Sequence, residues 1–233
     1  MPTIRQANER GHFKNSWLDS HHTFSFGEYY DPEHMGVSVL RVINDDRITP
    51  SAGFPTHPHN NMEIISYVLD GELAHKDSMG NGSVIRPGDV QRMSAGSGIT
   101  HSEFNPSESN GAHFLQIWLL PNKQNVKPGY EQQFFAPESR QGQLKLVLSP
   151  DGRDGSLSAN TDTLMYGTLL DKDQQVSHQL AADRIGYLHL AKGTAQVGEH
   201  TLNAGDGITF EAGSAVEITG IADAEVLLFD LPR

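Results

Sequence analysis

Short runs of β-branched and aromatic residues, each closed by Gly, Pro, Asn or Asp, recur from residue 37 onward and leave little room for anything but strands. VSVLRVI, MEIISYVLDG and HFLQIWLL fall in the first half; LKLVLSP, LMYGTLL, IGYLHLAKGTAQVG, GDGITFE, AVEITG and AEVLLFDLP fall in the second. No stretch carries a convincing amphipathic helical period. Between the runs sit Asp70-Gly71, Met79-Gly80-Asn81-Gly82 and Pro87-Gly88-Asp89, which supply the positive or fixed φ of tight turns. The pattern predicts an all-β chain of antiparallel strands arranged as sandwiches or barrels.

A chain of 233 residues can bury a sizeable core as one large β domain or two ordinary ones. The rhythm breaks once, in PNKQNVKPGYEQQFFAPES (121–139), where turn formers and polar residues dominate. We therefore expect a first domain over 1–122, a linker over 123–139 and a second domain over 140–233. Residues 1–36 are polar and irregular, with Trp17, Phe24, Phe26, Tyr29 and Tyr30 spaced as an ordered arm or strand would place them. Leu69-Asp70-Gly71 before Pro87-Gly88-Asp89 echoes Ala191-Lys192-Gly193 before Ala204-Gly205-Asp206, which suggests a duplication.

The balance of 17 Lys+Arg against 29 Asp+Glu gives a formal charge of −12. Such a surface disfavours direct binding to nucleic acid or to an anionic membrane. With no cysteine, neither disulfides nor thiolate metal sites are available. The polar opening MPTIRQANERGHF lacks the apolar run of a signal peptide, and no apolar run reaches spanning length, so the expectation is a cytoplasmic, monomeric protein.

Chemistry concentrates in Thr56-His57-Pro58-His59 and in Gly98-Ile99-Thr100-His101-Ser102-Glu103. Strand side chains alternate faces, so His57 and His59 form one pair of like-directed donors, and His101 and Glu103 form another. Two such pairs facing each other make a cage of three imidazoles and one carboxylate. That set suits a divalent first-row metal with open positions for water, substrate or dioxygen. The neighbours Ile64, Ile65, Met93 and Ile99 are apolar, which does not suit solvated surface residues. No nucleophile motif, phosphate loop or dinucleotide fingerprint is present.

Gly53-x3-His57-x-His59-x3-Glu63-x7-Gly71 resembles the first cupin motif, and Pro87-Gly88 followed by Gly98, His101 and Asn105 resembles the second. Together with HTFSFGEYYDPEHMGVSVLRVINDD and SAGSGITHSEFNP, these stretches are similar to the pirin family, and within it to bacterial members with quercetinase activity. The resemblance spans nearly the whole chain. It implies a bicupin, two β-sandwich or jelly-roll barrels packed together, with one metal in the first and none in the second. It also implies His57, His59, His101 and Glu103 as ligands. The second half fits that pattern, since His178, His189 and His200 form no His-x-His pair.

Glu63 competes for a place in the cage, because many cupins use the glutamate of the first motif. On a straight strand it would lie about 13 Å from His59, too far to share an ion, although Asn60-Asn61 could fold it back. The expectation is that Glu63 supports the site by hydrogen-bonding a ligand imidazole. His75 and His113 read as packing residues, and His21 and His22 as candidates to cover the pocket mouth. Gly96 and Gly98 read as positions of close backbone approach.

The resemblance implies quercetin 2,3-dioxygenase activity, with a flavonol or similar polyphenol and dioxygen as substrates and carbon monoxide as a product. Glu103 is the expected proton acceptor for the flavonol 3-hydroxyl. Iron is the first expectation for the metal, but His₃Glu also accepts Ni, Co, Mn, Cu or Zn. The competing class is a metal- or redox-sensing protein that regulates a transcription factor or metabolic enzyme through protein contact; a third is a purely structural bicupin.

Overall fold

The computed structural model describes residues 2–233. The first half contributes β1 (Thr3–Arg5), β2 (Gly11–Lys14), β3 (Leu18–His22), β4 (Leu40–Ile48), β5 (Gly53–His59) and β6 (Glu63–Asp70). It continues with β7 (Leu73–Asp77), β8 (Gly82–Ile85), β9 (Asp89–Ser94), β10 (Ile99–Phe104), β11 (Ala112–Leu119) and β12 (Gly129–Phe134). The second half adds β13 (Lys145–Ser149), β14 (Leu157–Ser158), β15 (Leu164–Leu170) and β16 (Gln175–Gln179). It ends with β17 (Arg184–Val197), β18 (His200–Asn203), β19 (Gly207–Phe210) and β20 (Ala215–Pro232). The all-β expectation holds, with short 3₁₀ turns as the helical content of the described residues.

Two sheets build the first half. One has seven strands in the order β12-β9-β6-β11-β4-β3-β2, and the other has four in the order β5-β10-β7-β8. Alternation divides the large sheet into two faces. Ile48, Val68 and Phe114 pack with Leu73 and Ile85 of the small sheet, closing the bottom of the sandwich. Ile43, Ile65, Tyr67, Leu115 and Ile117 point the other way and join Leu148, Met165, Leu227 and Phe229 of the second half in one apolar cluster. Polar bonds bracket that contact: Tyr67 Oη donates to Glu225 at 2.5 Å, and Lys192 Nζ donates to the Leu69 carbonyl at 2.7 Å.

The eight strands of the second half form, together with β1, a single nine-stranded sheet that wraps around its own core. Its two long strands make this possible. β17 and β20 stay paired over most of their length with register shifts around residues 190–195. Residues from both ends of that ribbon, Leu188 and Leu228 near one end and Val197 and Val216 near the other, meet in one cluster. Gly193 marks the bend, with φ +73° and no space for a Cβ against the Ala222 carbonyl.

Two segments depart from the sequence expectation. Within the 123–139 stretch read as a linker, β12 adds an edge strand to the large sheet against β9. In the arm, β1 leaves its own half and pairs with β19 of the second. No helix among the described residues is long and apolar enough to cross a membrane.

Candidate metal centre

The His-x-His pair lies on β5, and the His-x-Glu pair on β10. These strands are antiparallel neighbours, with His101 opposite His57 and Ile99 opposite His59, and a bulge between His101 and Glu103. The register brings three imidazoles together: ring centroids are 4.8 Å apart for His57 and His59, 4.5 Å for His57 and His101, and 4.9 Å for His59 and His101. Their candidate ligand atoms lie within 4.8 Å of one another.

The ring nitrogens have distinct duties. His57 Nδ1 lies 2.8 Å from the Pro55 carbonyl, which can only accept, so the other nitrogen, Nε2, keeps the lone pair. Behind His101 runs a chain from Asn81 and Met79 through Asp77 to His75. Asp77 accepts from His75 Nε2 at 3.3 Å, and His75 Nδ1 then faces His101 Nδ1 at 3.5 Å as an acceptor. That order leaves His101 Nε2 with a lone pair, and this buried atom has no partner. Burial is the main force holding His101 down to about 3 and His59 to about 4, and neighbouring imidazoles add to it. Both are neutral at pH 7, the form that binds a metal.

Glu103 is 2% exposed and held from the large sheet: Gln116 Nε2 donates to its two oxygens at 3.0 and 2.8 Å, and Ser66 Oγ donates at 3.1 Å. Its carboxylate groups with His101 and His75 rather than with all three cage histidines. Thus the structure brings His57, His59 and His101 together and sets Glu103 beside His101.

Glu63 requires a correction. It is buried, but it accepts from Ser94 Oγ at 2.7 Å and from Asn160 Nδ2 at 3.3 Å, and no ligand imidazole hydrogen-bonds to it. The reason is strand parity. Glu63 shares the face of Ile65 and Tyr67, toward the second half, whereas Ile64 and Ser66 point to the sandwich interior. Its bond to Asn160 ties the halves together.

His75 does more than pack, since it backs His101 and itself lies against the tilted ring of Tyr130 of β12 at 5.0 Å. His113 pairs with Asp45 at 2.7 Å. His22 lines the cavity, while His21 does not and stacks at 4.3 Å on His12, which does. A Cβ at Gly96, φ +48°, would clash with the Val126 carbonyl, a close approach as expected, whereas Gly98 has open space around it and is set apart by its φ of +135° alone. In the second half His178 pairs with Asp230 at 2.7 Å and His189 is fully buried; neither belongs to a metal-type cluster among the described residues.

Gln116, Ser66 and the His75–Asp77 pair escaped sequence reasoning. A signal was present for two of them: Gln116 and Ser66 interrupt otherwise apolar buried strands, and a buried polar residue needs a reason.

Above the histidines opens a cavity of about 590 Å³, within the range of small-molecule sites. Phe13, Phe26, Phe54, Ile64 and Trp118 give it apolar walls. Trp118 lies edge-on to His59 at 5.0 Å and to Phe26 at 5.3 Å. Asp46 also lines the cavity, and burial pushes its carboxyl up to about 7, against the lowering effect of the Ser20 hydroxyl.

Comparison with known proteins agrees with this architecture. The Pirin family model matches residues 3–119, and the model described as the quercetinase C-terminal cupin domain matches residues 146–231. The chain is 49% identical over 232 residues to quercetin 2,3-dioxygenase of Escherichia coli strain K12, covering 100% of this chain and 99% of that protein. It is 41% identical over 217 residues to a pirin-like protein of Caulobacter vibrioides, covering 93% of each. A solved structure of the bacterial pirin YhhW from Escherichia coli in complex with nickel(II) superposes with a TM-score of 0.95 at 49% identity, over 100% of both chains. The chain belongs to the pirin family.

Proposed function

We propose that this chain is a metal-dependent dioxygenase that opens the heterocyclic ring of flavonols such as quercetin. The observation that carries the reading is a cluster of three imidazoles, one with an orphaned Nε2, at the base of an apolar cavity of small-molecule size. The full-length relative named quercetin 2,3-dioxygenase supports the substrate class, and the nickel complex of a related pirin supports a metal.

His57, His59 and His101, with Glu103 as the fourth donor, would hold one divalent transition metal; the donor set accepts iron and nickel alike. When bound, the ion would lower the pKa of a flavonol hydroxyl and hold substrate and dioxygen together. The remaining work falls to the chain. Glu103 is within the cluster of His101 and accepts the proton of the 3-hydroxyl, while Gln116 and Ser66 fix its carboxylate. The His75–Asp77 pair holds the His101 tautomer. Phe26, Phe54 and Trp118 receive the planar rings and exclude water from the opening ring. Both oxygen atoms of dioxygen enter the organic product and one ring carbon leaves as carbon monoxide, so the atoms balance without an external reductant.

The reading is tested by adding quercetin to metal-loaded protein under nitrogen. We expect a red shift of its long-wavelength band as the 3-hydroxyl ionises, then bleaching when oxygen enters. An unshifted band would sink the proposal and favour a regulator whose metal serves a protein contact.

A further inference from the structure

One wall of the cavity differs from the rest. Where β3 and β4 pair, Ser20 is opposite Asp46 and His22 is opposite Asn44, so four polar side chains form a two-by-two patch on adjacent strands. All four line the cavity, and all four are at least nine-tenths buried. Their hydrogen-bonding capacity is largely unmet. The Asp46 carboxylate accepts from Ser20 Oγ and from no other group among the described residues. Asn44 Oδ1 and His22 Nδ1 are buried with no partner at all. A polar atom left in this state costs stability, and sites that keep several of them together usually meet a ligand or water there. None of the four is a cage residue, and none is explained by the chemistry proposed for Glu103.

We propose that Ser20, His22, Asn44 and Asp46 form a hydroxyl-recognition subsite that selects aromatic substrates carrying hydroxyls remote from the metal-binding one, with Asp46 as its principal acceptor. The naming of flavonols rests on the function proposed above; the subsite itself rests on the patch. Its chemistry is rich in acceptors, a carboxylate with spare lone pairs and an amide oxygen, beside an imidazole nitrogen without a partner. The aromatic walls suit a planar body, so the fitting donors are phenolic hydroxyls on that body. Burial that raises the Asp46 carboxyl to about 7, with Glu103 and Asp45 adding to the effect, is what an acceptor short of donors should show. A site built to hydrogen-bond a hydroxyl rejects the analogue that lacks it, because its buried groups are then left unpaired.

The test pairs two ligands with two proteins. Quercetin carries hydroxyls on both outer rings, whereas 3-hydroxyflavone keeps the metal-binding hydroxyl and lacks every other. Binding of each to metal-loaded protein is measured under nitrogen by calorimetry, and carbon monoxide release is then measured in air. At pH 8, where the Asp46 carboxyl is mostly ionised, wild type should bind quercetin about 10- to 100-fold more tightly, the value of a hydrogen bond to an ionised acceptor. In Asp46→Asn, which keeps the volume and the Ser20 contact, the ratio should fall to about threefold or less. Asn44→Leu, in case the first variant misfolds, should also lower it. Equal binding of the two flavonols by wild type, or a ratio unchanged in both variants, overturns the subsite. If carbon monoxide still appears in that case, the oxygenase reading stands. Discrimination that depends on Asp46 without carbon monoxide would keep the subsite and sink the oxygenase. Failure of wild type to bind either flavonol would overturn both.

Discussion

In the first half the interior positions of β3, β4, β6, β10 and β11 include Ser20, Asn44, Asp46, Ser66, Glu103 and Gln116, a polar layer above the apolar floor of Val68 and Phe114. In the second half the long ribbon of β17 and β20 places Leu188, Leu190, Val197, Val226 and Leu228 inside, and the buried Thr168 opposite Val226 satisfies its hydroxyl on the Arg140 carbonyl. Related sheet architectures thus enclose opposite interiors. The difference shows where each half spends its sequence. Buried polar atoms without partners lower stability, and in the first half His101 Nε2 and Asn44 Oδ1 belong to residues that line the cavity. The second half contributes a closed core, a face that covers Ile43, Ile65 and Ile117, and the Asn160 contact to Glu63. Its buried His189 also leaves both ring nitrogens without a partner yet joins no metal-type cluster among the described residues, so burial of a histidine alone builds no site.

The sharpest contrast between halves is metal content. His101→Ala or His59→Ala should reduce bound metal from about one ion per chain to less than a tenth, because either change breaks the four-donor set. His178→Ala, in the second half, should leave it unchanged. Elemental analysis of protein purified without an affinity metal column decides this, and metal retained by His101→Ala would erase the distinction.

Stability should respond in the opposite sense. Leu228→Ala in the second core should cost about 2–5 kcal/mol in denaturant unfolding, with metal binding kept by the folded fraction. Asp46→Asn should stabilise the metal-free protein, with a pH dependence that identifies the cause. The Asp46 carboxyl sits near 7 when folded and at 3.8 ordinarily, so the unfolded chain ionises first as pH rises. Folding stability is unaffected below about 4, is lost progressively from about 4 to about 7, and then levels. The variant should therefore gain little at pH 4 and up to about 4 kcal/mol at pH 8. A gain independent of pH would mean that the buried charge is not the cost.

A smaller effect separates two buried carboxylates. Gln116→Leu removes the amide that holds Glu103 and should weaken metal affinity about 10- to 100-fold. Glu63→Gln, on the opposite face of the sheet, should change it by less than about twofold and act on the contact with Asn160 instead. Competition with a chelator measures both, and equal losses would place Glu63 back at the metal.

The grouping of His57, His59 and His101 was legible because period-two spacing puts His57 with His59 and because β5 and β10 are neighbours in register, whereas a bulge follows His101 and Glu103 groups with His101 and His75 instead. The two-sandwich architecture was legible for the same reason, since strand runs and turn residues agree along most of the chain. Three features were hidden. β12 lies in GYEQQF, an edge strand without branched residues, whose place depends on β9 rather than on its own propensity. β1 joins a strand some two hundred residues away, a pairing no local pattern encodes. Glu63 was misplaced because the turn at Asn61, with φ +46°, carries the chain from the small sheet to the large one and resets which face each residue takes.

The most direct test of a metal cage serving ring cleavage is carbon monoxide released per quercetin consumed, in metal-loaded wild type and in His101→Ala. Wild type should release close to one carbon monoxide per quercetin, and the variant none above the protein-free rate. Quercetin loss without carbon monoxide, or equal yields from the two proteins, would contradict it.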